Sequence, residues 1–326
     1  MRTSLSFLTG TLILCCSISA PANPVYTDPN EAPIDFQIQG EYSGNLEQEG
    51  KQSKYGAQII ALGNGKFRGV GYPGGLPGDG WDRQERMVSD GSLGDGVVRF
   101  DAPDGGRAAE LKDGVITVFD AEGNAIGRLQ KMDRKSPTLG AKPPEGAVVL
   151  FDGTSPDAFH RGRMTDDGLL MEGVTSKETF GSHTIHFEFR APFQPNARGQ
   201  GRGNSGFYAQ GRYEVQILDS FGLEGKHNEC GGIYGIAAPK LNMCFPPLSW
   251  QTYDVDFTAA EYENGKKVSN ARMTVRHNGV VIHDDIEVPR ATAAARLPEG
   301  PEPGPVYLQD HGNPVRFRNI WVVPRD

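Results

Sequence analysis

The sequence predicts an all-β protein in two units: a small antiparallel β-barrel or β-sandwich, then a two-sheet sandwich of jelly-roll type. Three observations carry this. Gly (43) and Pro (23) are frequent among the 326 residues, as a chain of many short strands and turns requires. Apolar and polar residues alternate at period two in many short runs, while amphipathic helical patterns are scarce. The length suits two domains. The formal net charge of −8 speaks against nucleic acid as a partner, because phosphates call for a basic face.

Taken in order, the chain opens on MRTSLSFLTGTLILCCSISAPANP. Arg2, a short apolar run and the small-x-small site Ala20-Pro21-Ala22 read as a secretory signal peptide over residues 1–22, too short to span a membrane. Cys15 and Cys16 raise a lipoprotein reading, which the Ile13-Leu14 before them disfavours. The mature chain is therefore expected to be exported, periplasmic or extracellular. No later segment is long and apolar enough to cross a bilayer. Two cysteines remain, Cys230 and Cys244, around the Gly-rich CGGIYGIAAPKLNMC. In an exported protein this pair is expected to form a disulfide.

Residues 34–132 form the first unit. IDFQI, AQIIA, KFRGVGY, VVRFD, VITVFD and AIGRL read as strands, punctuated by turns at Asn64-Gly65, Asp104-Gly105, Asp113-Gly114 and Gly123-Asn124. They carry no catalytic constellation, so an accessory or docking role toward a polymer or protein partner is expected. The Pro-rich, polar DRKSPTLGAKPPEG at 133–146 reads as a linker. Residues 147–326 form the second unit, with ten strand candidates: VVLFD, LLMEG, TIHFEFR, GFYAQ, YEVQILD, TYDVDFTA, ARMTVRH, VVIHDDIEV, PVYLQD and VRFRNIWVV. Asn278-Gly279 marks a hairpin between two of them.

Several patterns bear on chemistry. Gly201 to Gly206 matches G-x-G-x-x-G but has a Pro-Asn loop before it and a strand after it, so it is not a dinucleotide site. Arg198 and Arg202 in that loop are read either as reaching over a ligand or as ordinary exposed loop arginines. In YEVQILD, Glu214 and Gln216 share the face opposite Tyr213, Val215 and Ile217. A glycosidase needs two carboxyls across the bond. Gln216 is an amide, and Asp219 points elsewhere unless a bulge intervenes, so a second carboxyl would have to come from another strand, such as Glu188. In HTIHFEFR, Ile185, Phe187 and Phe189 face inward. His186, Glu188 and Arg190 then share an outer face that is either solvated or a groove, and the same alternatives apply to Asp254 and Asp256. His311, between Asp310 and Gly312 at a strand end, is where a sandwich can present a reactive side chain.

The segments VVLFDGTSPDAF, SKETFGSHTIHFEFR, NSGFYAQGRYEVQILDS, CGGIYGIAAPKLN, SWQTYDVDF, HNGVVI and GPVYLQDHGNPVRFRNIW follow one another in order. Together they resemble the 3-keto-disaccharide hydrolase family, also known as domain of unknown function 1080, over about residues 147–326. The resemblance implies a concanavalin-like jelly roll acting on glycosides already oxidised at C3. A C3 ketone acidifies the C2 hydrogen, so one base, an enolate stabiliser and an acid for the leaving group suffice, and no carboxylate nucleophile is needed. On this reading Glu214 or His311 is the base, with Glu214 favoured. Arg190 or Lys240 stabilises the enolate. Asn204, Tyr208, Gln216 and Gln309 bind hydroxyls. Trp250 stacks on a sugar or fills the core, and Asp219 orients a partner or binds a structural ion. No cofactor is firmly implied. A structural Ca²⁺ is compatible with such a fold, though no EF-hand-like loop announces one. The insert QPNARGQGRGNSG and the extra N-terminal unit depart from the family's usual form, and the insert is expected to shape the groove rim. The competing functions are a non-catalytic carbohydrate-binding protein and a conventional glycoside hydrolase.

Overall fold

A computed structural model describes residues 23–48, 50–102 and 106–325. The signal-peptide reading, Cys15 and Cys16, and the turn at Asp104-Gly105 lie outside the described residues.

The first unit is a closed up-and-down barrel of eight antiparallel strands in sequential order. They are β1 (Gly40–Gln48), β2 (Lys51–Gly63), β3 (Lys66–Pro73), β4 (Met87–Gly94), β5 (Val97–Asp101), β6 (Arg107–Lys112), β7 (Val115–Phe119) and β8 (Ala125–Met132). Asn64-Gly65 and Asp113-Gly114 join neighbouring strands with φ positive at both residues, the turn whose twist matches that of the strands. Closure removes every free edge from this small sheet.

IDFQI is not a strand. It forms the short helix α1 (Ile34–Ile38), entered through Pro33. Its alternating Ile34, Phe36 and Ile38 fit a strand equally well, since so short an apolar run does not reveal its period. Tertiary packing decides: Phe36 and Ile38 pack onto the barrel core at one end of the barrel, together with Phe193 and Leu248 of the second unit.

The second unit is a sandwich. Its strands are β9 (Val148–Phe151), β10 (Phe159–His160), β11 (Leu170–Met171), β12 (Val174–Phe180), β13 (His183–Arg190), β14 (Ser205–Ala209), β15 (Tyr213–Ile217), β16 (Gln251–Thr258), β17 (Glu261–Glu263), β18 (Lys266–Ser269), β19 (Ala271–His277), β20 (Val280–Val288), β21 (Gly304–Leu308) and β22 (Arg316–Pro324). One sheet runs β10-β12-β21-β14-β15. The other runs β11-β22-β13-β16-β19-β20, with β9 beside β22. Ile185, Phe187 and Phe189 from one sheet meet Phe207, Val215 and Ile217 from the other in a continuous core. Each such side chain taken fully from water contributes about 1.5–3 kcal/mol.

Parts of the two sheet faces that point away from this core are also covered. The linker lies across the outer face of the β13 sheet. Ser136 and Thr138 meet the Thr252 hydroxyl, at 2.6 and 2.8 Å. The Gly140 amide donates to Glu188 (2.6 Å), and the Ala141 carbonyl accepts from Asn319 and Trp321. His186, Glu188 and Asp254 therefore form neither an open groove nor a solvated face. They are a buried polar layer under a strap, with His186 Nδ1 2.7 Å from Asp254 and Arg318 donating to Glu188 at 2.6 Å. Burial opposes ionisation of Glu188, but hydrogen bonds from His186, Asn319, Gly140 and Arg318 outweigh it and hold its pKa at about 2.

The expected disulfide is absent. Cys230 and Cys244 are free, buried thiols. Cys230 Sγ lies 3.2 Å from the Tyr253 hydroxyl, and Cys244 Sγ points to the Leu218 carbonyl at 3.6 Å. The loop they bracket is held instead by backbone bonds: the Gly231 amide donates to Gln216, the Gln216 amide to Gly232, and the Lys240 amide to Ile282.

Candidate active site

β15 is the edge strand of its sheet, and its inward Tyr213, Val215 and Ile217 lie in the core. Glu214 and Gln216 must point the other way. Both are nonetheless buried, at 3% and 1% exposure, because the surrounding loops close over this face. Tyr234 donates its amide to the Glu214 carbonyl, and Gln216 donates its own to Gly232. On the partner strand β14, Gly206 pairs with Gln216 and Tyr208 with Glu214. The Glu214 carboxyl lies above Gly206: a Cβ there would fall 2.2 Å from Glu214 Oε1.

Removal from water pushes the Glu214 carboxyl up to about 8, and only the Tyr208 hydroxyl works in the opposite direction. No second carboxylate contributes. The Tyr208 hydroxyl accepts a hydrogen bond from Gln309 Nε2 (3.1 Å) and lies 3.2 Å from the Ala293 carbonyl. Burial, reinforced by Glu214, raises the Tyr208 phenol well above the usual tyrosine range, so it stays a neutral donor. Beside this pair lies an amide cluster. Gln216 Nε2 donates to Gln200 Oε1 (3.0 Å), Asn204 Nδ2 to the Gln200 carbonyl (2.7 Å), and Gln200 Nε2 to the Asn228 carbonyl (2.7 Å). Asn204 Oδ1 is buried with no partner among the described residues.

Residues 146–323 match the family described as the 3-keto-alpha-glucoside-1,2-lyase-like domain. The chain belongs to this family. The 3-keto-alpha-glucoside-1,2-lyase-like domains act on glycosides, and here the domain comprises the whole sandwich. A crystal structure from Parabacteroides distasonis, named a "putative glycosyl hydrolase", is similar at 32% identity over 56% of this chain and 85% of its own, with a TM-score of 0.50. Another protein of that organism bearing the same name is 18% identical over 56% of this chain and 95% of its own, with a TM-score of 0.39. No curated protein matches the chain.

The lyase-like domain gathers Glu214, Tyr208 and Gln309, with Gln216 and Asn204 joined through Gln200. His311 is exposed, in the turn that follows Gln309 at the same end of the sheet, where Asn313 bonds both its carbonyl and the Gly203 amide. The structure separates the remaining candidates from this cluster. Arg190 sits on the outer face of the other sheet, its guanidinium 5.0 Å from the Trp250 ring centre, with Arg318 at 4.0 Å over the same ring. Trp250 is thus half-buried and stacked by two guanidinium groups, outside the buried core. Lys240 is exposed, 3.9 Å from Asp284. The reason is topological: these cations belong to β13 and to the border of β20, both in the opposite sheet. Asp219 accepts from Arg202 Nε at 2.6 Å in a buried ion pair.

A cation absent from the sequence expectations stands nearer. Arg296 donates to the Tyr307 hydroxyl at 2.7 Å with its guanidinium 4.4 Å over that ring, and the Tyr307 ring centre lies 5.3 Å from that of Tyr208. Arg296 falls in an irregular stretch between two strands, where no periodicity exists to place it. Gln200 was equally hidden in the insert. Only Gly206, standing directly across from Gln216 in a hairpin, carried a readable signal. Among the described residues no group of three or more His, Cys, Asp or Glu is placed to hold a metal ion.

Proposed function

We propose that the protein is an exported enzyme that cleaves 3-keto-glycosides, with Glu214 as the base that removes the C2 proton. The observation that carries this reading is the solitary Glu214 carboxyl, raised to about 8 by burial and partnered by the Tyr208 phenol. A retaining glycosidase would need a second carboxyl about 5–5.5 Å away. A single carboxylate of high pKa is a strong base once ionised, and it suits proton abstraction next to a ketone. As Glu214 takes the C2 proton, the electron pair passes toward the C3 oxygen. The enolate then re-forms its carbonyl, a C1–C2 double bond forms, and the C1–O bond breaks. The leaving oxygen takes a proton, and water adds across the double bond to give the free 3-keto sugar. Arg296 and the Tyr208 hydroxyl are the donors within reach of this face to hold the enolate oxygen. Gln309, Gln216 and the open acceptor Asn204 Oδ1 bind ring hydroxyls. The leader at residues 1–22 supports export.

The test pairs a 3-keto-glucoside with the same glucoside unoxidised. Turnover of the keto form alone, abolished in Glu214→Gln, is expected. Full activity in both Glu214→Gln and His311→Ala would sink the site. Cleavage of the unoxidised glucoside would mean conventional hydrolysis, and binding without turnover a carbohydrate-binding protein.

A further inference from the structure

The barrel is packed at one end and hollow at the other. At the end closed by α1, Tyr42 and Phe67 fill the interior, and Phe193 of the sandwich closes the packing. Toward the end formed by the β1–β2 and β7–β8 turns, several wall positions carry little or no side chain. Gly69 faces Phe100 and Ile59, Gly71 is covered by the Tyr55 ring, and Ala57 and Ala109 complete the wall. What remains is a cavity of about 700 Å³, within the size range of small-molecule sites. Eight-stranded barrels either fill their interior with side chains or hold one small ligand, and this one does not fill it.

The chemistry of the walls limits what could enter. Ile59, Phe100, Ile116 and Leu129 make the interior apolar, so it offers water too few partners to be held there and a sugar too few hydrogen bonds. At the mouth, Met87 and Val88 are exposed at 49% and 53%, an apolar lip continuous with the interior. Among the described residues, the charged side chains lining the opening are Glu85, Asp101 and Asp120, all acidic. They would repel a carboxylate or phosphate headgroup. One polar handle projects inward, the Tyr55 hydroxyl, 3.5 Å from Met87 Sδ.

We propose that the barrel binds one uncharged, apolar small molecule, an alkyl chain or a fused-ring compound with at most a hydroxyl or carbonyl, inserted through the Met87–Val88 lip. This goes beyond the catalytic reading and does not depend on it, because the cavity belongs to the barrel and Glu214 to the sandwich. It also gives the N-terminal unit a small apolar ligand beside the polymer or protein partner expected of an accessory domain.

The test uses the full mature chain and the neutral fluorescent probe N-phenyl-1-naphthylamine. Saturable binding of one probe per chain is expected. Ala109→Phe, which fills the cavity, should weaken it at least ten-fold while leaving 3-keto-glucoside cleavage unchanged. If Ala109→Phe fails to fold, Met87→Glu at the exposed lip should weaken it several-fold by adding a further carboxylate. Displacement by 1-dodecanol assigns an alkyl ligand, and displacement by 2-naphthol alone assigns a fused-ring one; either supports the proposal. Unsaturable binding, unchanged binding in both variants, or displacement by dodecanoate as strong as by dodecanol would overturn it.

Discussion

Glu214 owes its position to the residue that has no side chain beneath it. Gly206 does not adopt a left-handed conformation, so alanine is tolerated by the backbone there, yet its methyl would occupy the space of Glu214 Oε1. Gly206→Ala should therefore fold with a nearly unchanged Tm and lose about 10²-fold in kcat, as a displacement of about 1 Å at a reacting group does; circular dichroism melting beside a turnover assay checks this. The carboxyl itself sets the pH dependence. With a folded pKa of about 8 against an ordinary 4.5, Glu214 is mostly protonated at neutral pH, so kcat/KM should rise with pH and level off above about 8. Glu214→Gln should remove that limb along with about 10²–10⁴-fold of rate. The folded state keeps this proton where the unfolded chain has already released it, so the group's contribution to stability falls as pH rises from 4.5 to about 8. The Tm of Glu214→Gln should consequently gain on that of the parent across this window. A constant difference would mean the carboxyl is solvated.

The linker strap and the sheet beneath it form an element with its own pH window. Glu188, held at about 2, stabilises the fold above its ordinary 4.5, and that stabilisation is lost as pH falls through about 2. Burial opposes the charge on His186, but Asp254 and Glu188 raise its pKa overall, so its contribution is complete below 6.5 and is lost as pH climbs through the raised value. The strap should be held most firmly between about pH 4.5 and 6.5. Glu188→Gln leaves Arg318 and His186 facing an uncharged amide and should cost about 3 kcal/mol. Trypsin cleavage after the exposed Lys135, next to the strap's Ser136, should then quicken; an unchanged cleavage rate would show that the strap is held by its hydroxyl contacts instead. The sequence made such elements legible wherever alternation was long. HTIHFEFR and YEVQILD disclosed which side chains enter the core, because a buried face must repeat every second residue. The same alternation could not say what covers the other face. That cover is supplied by segments distant in sequence and without period: the linker over Glu188, and Gln200, Tyr234 and Ala293 around Glu214 and Tyr208. Strands β1, β4 and β6 escaped notice because glycines and charges interrupt GEYSGNLEQ, MVSDGSLG and RAAELK, and barrel closure rather than propensity makes them strands.

The whole molecule couples its two units through more than the linker. Arg198 in the QPNARGQGRGNSG segment donates to the Leu62 carbonyl, and Arg202, paired with Asp219, donates to Ala61. Phe221 packs against Ile60, Tyr72 and Leu76 of the barrel flank, and Arg134 at the barrel's exit grips Glu41. The insert thus turns its arginines to the barrel and Gln200 to the candidate site, a division that its composition did not announce. The chain accordingly closes a circuit: it leaves the barrel through the strap and returns to it through the insert. A protease site placed between Pro144 and Glu145 and then cut should leave the halves co-eluting as one particle at neutral pH, and separate elution would show that the covalent tether alone joins them. In mechanical terms a body held at several separate patches resists hinging. The barrel should tumble in solution with the sandwich as a single rotor, and whatever occupies its hollow end would be carried at a fixed bearing to the carboxyl of Glu214.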